Sequence, residues 1–410
     1  MEKNIRNLIL LSLLVLPLSQ LSISIFGAPI YLPEIPIGIS MILYLMGLKA
    51  GKVVFYPVPK EFSFGSTFLL LGAVFSAISS GASLQELGAL KSWVFFPLLA
   101  AFLVFQAFRK ESYRRGALMI WFLSVASTAI ISFFPVPFVH ETYDGRLASF
   151  FPSPNHLAFF LEPGILIGAY FLLRRAKVFR YQDLFFLIGT AFIISAIFRT
   201  ESRGALIAVL SGIAMLFSGK FFSRKIITRS ISLLIPVISI FFISFLLGLD
   251  WERLGSGEIR TSLASRVMIW NASATMLREH PLFGIGLRNF EGEYLFLQAK
   301  FPPYLEWAVP HPHNIVLALW LQTGILGILG FAVMIGSSVH SLWKEGFEDE
   351  KGKIPMEKVL FLSYLSAFLI HGLVDTPFFR NDLSFQFLVI LAFIQASGKI
   401  GIVSRKRNRE

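Results

Sequence analysis

The sequence predicts an all-α polytopic membrane protein, and three observations carry that prediction. Hydrophobic residues make up 55% of the 410, and the mean hydropathy is +0.68. Charged residues account for 15%, against roughly 25% in soluble chains. Twelve apolar runs reach or approach the roughly 20 residues needed to cross a hydrocarbon core of about 30 Å. Runs this continuous must be helices, because lipid offers no partner to an unpaired backbone N–H or C=O.

The runs are taken in order as 7–26, 30–48, 62–80, 92–108, 116–135, 154–173, 183–200, 203–218, 229–249, 313–337, 358–375 and 383–398. The first follows Lys3 and Arg6, as a signal peptide would. No small-residue cleavage site follows it and the second run starts almost at once, so it reads as a retained span. The connections KAGK, RKESYRR, RRAKVFR, GKFFSRKIITR and KEGFEDEKGK, with the tail SRKRNRE, alternate with poorly basic ones. With their flanks and the first six residues they hold 26 of the 37 Lys and Arg, which assigns them, and both termini, to the cytoplasm.

The long connections fall on the opposite, outer side, at 136–153 and 250–312. In the second, Leu263, Val267, Trp270, Ala274 and Leu277 recur at helical spacing until His280-Pro281 and Gly284/Gly286 break the pattern. The expected organisation is spans one to nine over 1–249, a partly helical outer loop domain over 250–312, and spans ten to twelve with a cytoplasmic tail over 313–410.

A net charge of +12 raises nucleic acid as a partner. The basic residues sit in short clusters between apolar runs rather than on one water-exposed face, so topology accounts for them and no nucleic acid is expected. The chain has no cysteine, which excludes disulfides and thiolate metal sites.

The outer side carries 11 Lys and Arg, and nine are arginine. The guanidinium grips phosphate or carboxylate with two parallel donors, so an anionic ligand is expected there. The competing reading pairs these arginines with outer carboxylates such as Glu201 and Asp375. Arg203 stands out: in FRTESRGALIAVL one run ends at Thr200 and the next begins at once. Glu201, Ser202 and Arg203 therefore form a tight hairpin at the membrane edge, where an ionisable group is costly, and Gly204 allows another group to approach closely. Arg199 is the better candidate for simple snorkelling. Arg266 opens the loop helix, with Ser262 or Ser265 as its cap, at the positive helix end that favours anions. Trp270 can stack on a sugar or pack against the protein, and packing is the commoner fate of an aromatic. The glycines of PLFGIGLRNF, next to Arg288, read as backbone turning.

In WAVPHPHNIVLALWLQTGILG, Pro310 and Pro312 extend the backbone around His311 and His313, so the next helix begins at His313 or Asn314, with Asn314 as the natural cap. A neutral imidazole there can take a proton from a hydroxyl. The His-x-His spacing invites a zinc reading, but no Cys and no His-x-x-x-His accompanies it, and no metal or other cofactor is assigned. Two further patches face the same side: Arg146 and Asn155 in DGRLASFFPSPNHLAFFL, and His371, Asp375 and Arg380 in HGLVDTPFFRNDLSF. Both are open to a reading as ordinary interface anchoring.

Taken in order, RLASFFPSPNHLAFF, SRGA, SRVMIW with HPLFGIGLRNF, and PHNIVLALWLQTGILG resemble the O-antigen ligase/polymerase family of bacterial envelope glycosyltransferases, over roughly residues 140–390. The resemblance implies a lipid-carrier (GT-C-like) helical fold in the inner membrane with its active site facing the periplasm. It implies an undecaprenyl-pyrophosphate-linked glycan as donor, and a lipid A–core sugar or another carrier-linked glycan as acceptor, with metal-independent transfer. Matched to the motifs, Arg203 and Arg266 would hold the donor pyrophosphate and His313 would act at the acceptor hydroxyl. His311, Asn314, Arg146, Asn155, Arg288, Trp270 and Asp375 are the second rank, as substrate-binding candidates. Ligase and polymerase remain open, and a ligase is preferred. A transporter or flippase, which would need ionisable residues at mid-membrane, also fits twelve spans; Glu162 is the main residue that favours it.

Overall fold

The computed structural model describes residues 1–25, 28–174, 180–221, 262–300, 309–344 and 354–398. Helices dominate them. In order they are α1 (Glu2–Leu14), α2 (Glu34–Lys49), α3 (Lys60–Ser79), α4 (Leu84–Ala89), α5 (Phe96–Ala107), α6 (Glu111–Ile131), α7 (Pro154–Arg174), α8 (Tyr181–Thr200), α9 (Arg203–Phe221), α10 (Ser262–Glu279), α11 (Phe290–Leu297), α12 (Ile315–Lys344), α13 (Met356–Gly372) and α14 (Asn381–Ser397). A wide turn at Leu90–Phe95 joins α4 to α5 into one rod. Two small antiparallel hairpins complete the fold, β1 (Ser22–Ile25) with β2 (Ala28–Tyr31), and β3 (His140–Glu141) with β4 (Leu147–Ser149).

Among the described residues six helices are long and apolar enough to cross a membrane: 60–79, 84–107, 111–131, 154–174, 181–200 and 315–343. Eleven of the twelve apolar runs contain a helix, and the run at 229–249 lies outside the described residues. The first run departs from expectation. Its helix starts at Glu2 and ends at Leu14, and the chain then passes through a short tight helix containing Pro17 into the β1–β2 hairpin. Proline lacks the N–H that would continue the ladder and disfavours helical geometry in the residue before it.

One helix pair is held unusually close. In α3 and α12 a Cβ added at Gly72 would lie 2.4 Å from the Gly327 nitrogen, and one at Gly330 would lie 2.4 Å from the Leu69 nitrogen. Small residues let the two backbones meet, as membrane helices commonly do. At the other end of the bundle Arg114 of α6 forms a two-pronged pair with Glu357 of α13, at 2.9 and 2.7 Å, with both side chains buried.

α12 kinks at Gly324, whose φ of 65° and ψ of −173° are outside helical geometry. The segment after α10 fills the kink: Ile285 N–H donates to Leu321 O at 2.7 Å, Ile325 N–H donates to Leu282 O at 3.0 Å, and Trp320 Nε1 donates to Pro281 O at 2.7 Å. The backbone groups freed by the kink are therefore satisfied by HPLFGIG, and Gly284 is required because a Cβ there would lie 2.2 Å from Leu321 O. The Gly-x-Gly pair is a docking turn.

The buried side of α10 differs from the expected one. Ser265, Met268, Ile269, Ala272, Ser273 and Met276 are buried, whereas Val267, Trp270, Ala274 and Leu277 are only half-buried. The apolar spacing was that of a helix, but α10 packs under α11 and α12, and these neighbours select a face one residue further round. α10 also begins at Ser262, so Arg266 lies one turn inside it, and Ser262 and Ser265 are helical residues rather than caps.

Candidate functional site

The segment after α13, Leu373–Thr376, is where the predicted site residues meet. Asn314 caps α12, its Oδ1 accepting from Val316 N–H at 2.9 Å and Leu317 N–H at 3.1 Å, while its Nδ2 donates to Leu373 O at 3.0 Å. The helix accordingly starts at Ile315. Arg266 Nε donates to Val374 O at 2.8 Å. His313 Nδ1 lies 2.9 Å from Asp375 Oδ1. His311 Nδ1 lies 3.9 Å from the same oxygen.

Asp375 is 1% exposed and fully engaged. Besides His313, its Oδ1 accepts from Thr376 N–H at 2.8 Å and its Oδ2 from Asn155 Nδ2 at 2.6 Å. Burial pushes its carboxyl up, but the His313 charge and hydrogen bond, with His311 and His371 behind them, outweigh burial and hold it well below the usual carboxylate value. An ionised carboxylate can only accept. The contact therefore places a proton on His313 Nδ1, so that the neutral ring has its lone pair on Nε2, the tautomer a general base uses. His313 also has a φ of 49°, a strained geometry for a residue with a side chain and one that clusters at functional sites.

His311 Nδ1 is buried and makes no hydrogen bond among the described residues. Burial, reinforced by His313, lowers its pKa to about 3, against the opposing pull of Asp375. Its ring stands edge-on to His313 at 4.5 Å and to His156 at 5.5 Å.

A chain of hydrogen bonds ties this cluster to the α8–α9 turn. Asn155 Oδ1 accepts from Arg146 Nη2 at 3.0 Å, and Arg146 Nε donates to Thr200 O at 2.8 Å. The β3–β4 hairpin presents Arg146, with Thr142 N–H closing it on Arg146 O at 2.9 Å. Glu201 takes a left-handed φ of 52°, so α8 ends and α9 starts within two residues, as the sequence required. Arg203, the first residue of α9, is exposed and pairs with no carboxylate among the described residues. Gly204 beside it admits His371: a Cβ there would lie 2.8 Å from the His371 ring and 3.1 Å from Val374. Arg266 and His313 thus bond to Val374 and Asp375, and the backbone at Gly204, next to Arg203, packs on His371 and Val374.

Other candidates take different places. Trp270 Nε1 donates to Pro312 O at 3.1 Å, so it pins the His311–His313 loop, with its ring half-buried. Arg288 is held elsewhere, its guanidinium 5.7 Å over Trp93 while Glu86 accepts from the N–H groups of Leu287 and Arg288 at 2.7 and 2.8 Å. Arg199 pairs with Glu141, and Arg380 with Asp382 at 2.9 Å. Two relationships were not legible in the sequence. Asp375, a substrate-binding candidate also open to a reading as interface anchoring, is the partner of His313, and Glu162, the lone acid of the sixth run, is joined to His371 in a buried pair beside the Phe159 ring. The four-residue spacing of His371 and Asp375 at a helix end was the only local signal.

His311, His313 and Asp375 together offer two ring nitrogens and one carboxylate oxygen within 4.8 Å of one another. The sequence argued against zinc from the absence of cysteine and of a His-x-x-x-His; the third donor comes from a helix end 62 residues away.

Residues 188–332 match a family model described as O-antigen ligase. The stretch includes Arg203, Arg266, Trp270, His311 and His313 but ends before Asp375. No curated protein matches the chain.

Proposed function

We propose that the chain is a glycosyltransferase that moves a glycan from undecaprenyl pyrophosphate to a lipid A–core sugar at the periplasmic face of the inner membrane, a reading supported by the match of residues 188–332 to a family model described as O-antigen ligase. The observation that carries this reading is that Arg266 and the His313–Asp375 pair meet at residues 374–375, with the helix start that bears Arg203 packed beside them through Gly204. His313 Nε2 accepts the proton of the acceptor hydroxyl as its oxygen attacks the anomeric carbon. The bond from that carbon to the pyrophosphate oxygen breaks, and undecaprenyl pyrophosphate leaves with the electron pair. Arg203 and Arg266 stabilise the charge that develops on it where water is partly excluded. Asp375 holds the imidazole in the required tautomer and stabilises the imidazolium. One displacement inverts the anomeric centre. Metal-independent transfer is what the family resemblance implies, and in this reading the two arginines supply the leaving-group stabilisation.

Arg146 and Asn155 act behind this centre, holding Asp375 against the turn that bears Arg203. Apart from Glu162, which lies inside α7 and pairs with His371, the ionisable groups near it belong to helix ends and loops, which favours surface chemistry over a transport path. The reading keeps the expected twelve spans with both termini cytoplasmic, and six helices among the described residues are long and apolar enough to cross a membrane.

The test is transfer by purified protein given carrier-linked glycan and lipid A–core acceptor. The wild type should form product of inverted configuration, and Arg203→Ala and His313→Ala should form none while remaining folded. Full transfer by both variants removes the assignment. In cells lacking the protein, long glycan left on the carrier identifies a ligase, whereas core bearing a single repeat identifies a polymerase.

A further inference from the structure

We propose that His311, His313 and Asp375 form a binding site for a divalent transition-metal ion of the zinc type, and that the ion inhibits transfer by occupying it. The inhibitory half rests on the reading of His313 as the base; the binding half does not.

The donor set points to this class of ion. Two imidazole nitrogens and one carboxylate oxygen suit zinc and its neighbours, whereas magnesium and calcium favour oxygen alone. With bonds of about 2.0–2.1 Å, tetrahedral ligands lie about 3.3 Å apart. Here the His313–Asp375 donors are 2.9 Å apart, the His311–Asp375 donors 3.9 Å, and all three fall within 4.8 Å, so small side-chain shifts close the set. His311 Nδ1 is buried, lacks a hydrogen bond among the described residues and lies on the Asp375 side of its ring, so a ligand can be gained there without breaking an existing contact.

The surroundings hold the ligands in place as outer partners of metal sites do. Asn155 and Thr376 N–H hold Asp375, and Trp270 holds Pro312 between the two histidines. Three protein ligands leave a fourth position open.

The inhibition follows from the imidazole itself. In the metal-free chain His313 carries its proton on Nδ1, facing Asp375. Metal on Nδ1 displaces that proton, and the neutral ring then carries it on Nε2. The lone pair that would accept the hydroxyl proton is gone, and the carboxylate that would stabilise the imidazolium is committed to the metal.

The test uses the full-length protein in detergent, stripped with chelator and titrated calorimetrically with zinc chloride, with magnesium chloride as the hard-cation control. One zinc per chain is expected, with no comparable uptake of magnesium. His311→Ala and the more conservative His311→Gln should each weaken zinc binding at least 10-fold, with thermal melts confirming that the variants are folded. Transfer by the wild type should fall as zinc fills the site and return on chelation. Absent zinc uptake, or uptake unchanged in both His311 variants, overturns the site. Zinc that binds through His311 but raises activity overturns the inhibition. If the metal-free protein transfers nothing while zinc still binds through His311, the transferase reading and the inhibition fall and the binding site stands.

Discussion

Asp375, at the end of α13, and His313, two residues before α12, meet at 2.9 Å although 62 residues separate them. The contact fixes which nitrogen of His313 is free to accept a proton, so the amide variant Asp375→Asn is the sharpest probe. It preserves shape but can turn a donor towards Nδ1 and stabilise the wrong tautomer. Transfer should fall by about 10²–10⁴-fold, read as initial rate on carrier-linked glycan. A rate within a few-fold of wild type would remove Asp375 from the chemistry.

Arg203 and Arg266 should separate activity from stability. Arg203 is exposed with no acidic partner among the described residues, so Arg203→Ala should abolish transfer and change stability by no more than about 0.5 kcal/mol. Arg266 holds Val374 O, and Arg266→Ala should lose transfer together with about 1–3 kcal/mol. Lysine should not restore either, because it lacks the planar fork. Denaturation midpoints in detergent measured beside the rates check both outcomes.

His311 makes folding sensitive to acid. Its folded pKa of about 3 lies below the unfolded value of about 6.5, so below pH 6.5 the unfolded chain binds one more proton. Its penalty is absent above pH 6.5, grows as the pH falls and saturates near pH 3. Asp375 adds an acid loss of its own only below about pH 4, the unfolded value of its carboxyl. Thermal midpoints should therefore decline from pH 6.5 to 4.5 in the wild type and decline less in His311→Gln. Parallel curves would rule out His311 as the source.

Gly324→Ala should unfold the kink. A residue with a side chain costs about 1–2 kcal/mol at that φ, and the added Cβ would lie 2.3 Å from Leu282 O, a backbone atom with little freedom to retreat. A loss of at least about 2 kcal/mol is expected, accompanied by faster proteolysis of the 280–290 segment. Gly336→Ala, in open space on the same helix, is the control.

Removing one partner of the Arg114–Glu357 pair leaves the other charge buried. Glu357→Ala should cost about 3–5 kcal/mol with the site end of the bundle untouched. The residual folded fraction should therefore retain wild-type specific activity.

By itself the sequence determined most of the described helices, because lipid forbids unpaired backbone, although the first apolar run breaks after Leu14 and passes into a hairpin. It also determined the features set by neighbours in the chain: the Asn314 cap, the hairpin at Glu201–Arg203, and the interruption after His280-Pro281. The tertiary structure decided which face of α10 is buried, that Trp270 anchors a loop, that Arg288 lies apart, and that α12 bends to receive HPLFGIG. It also decided that Asp375 serves His313. Each of these depends on groups brought together from distant positions, and neither hydropathy nor local spacing contains the distance between them.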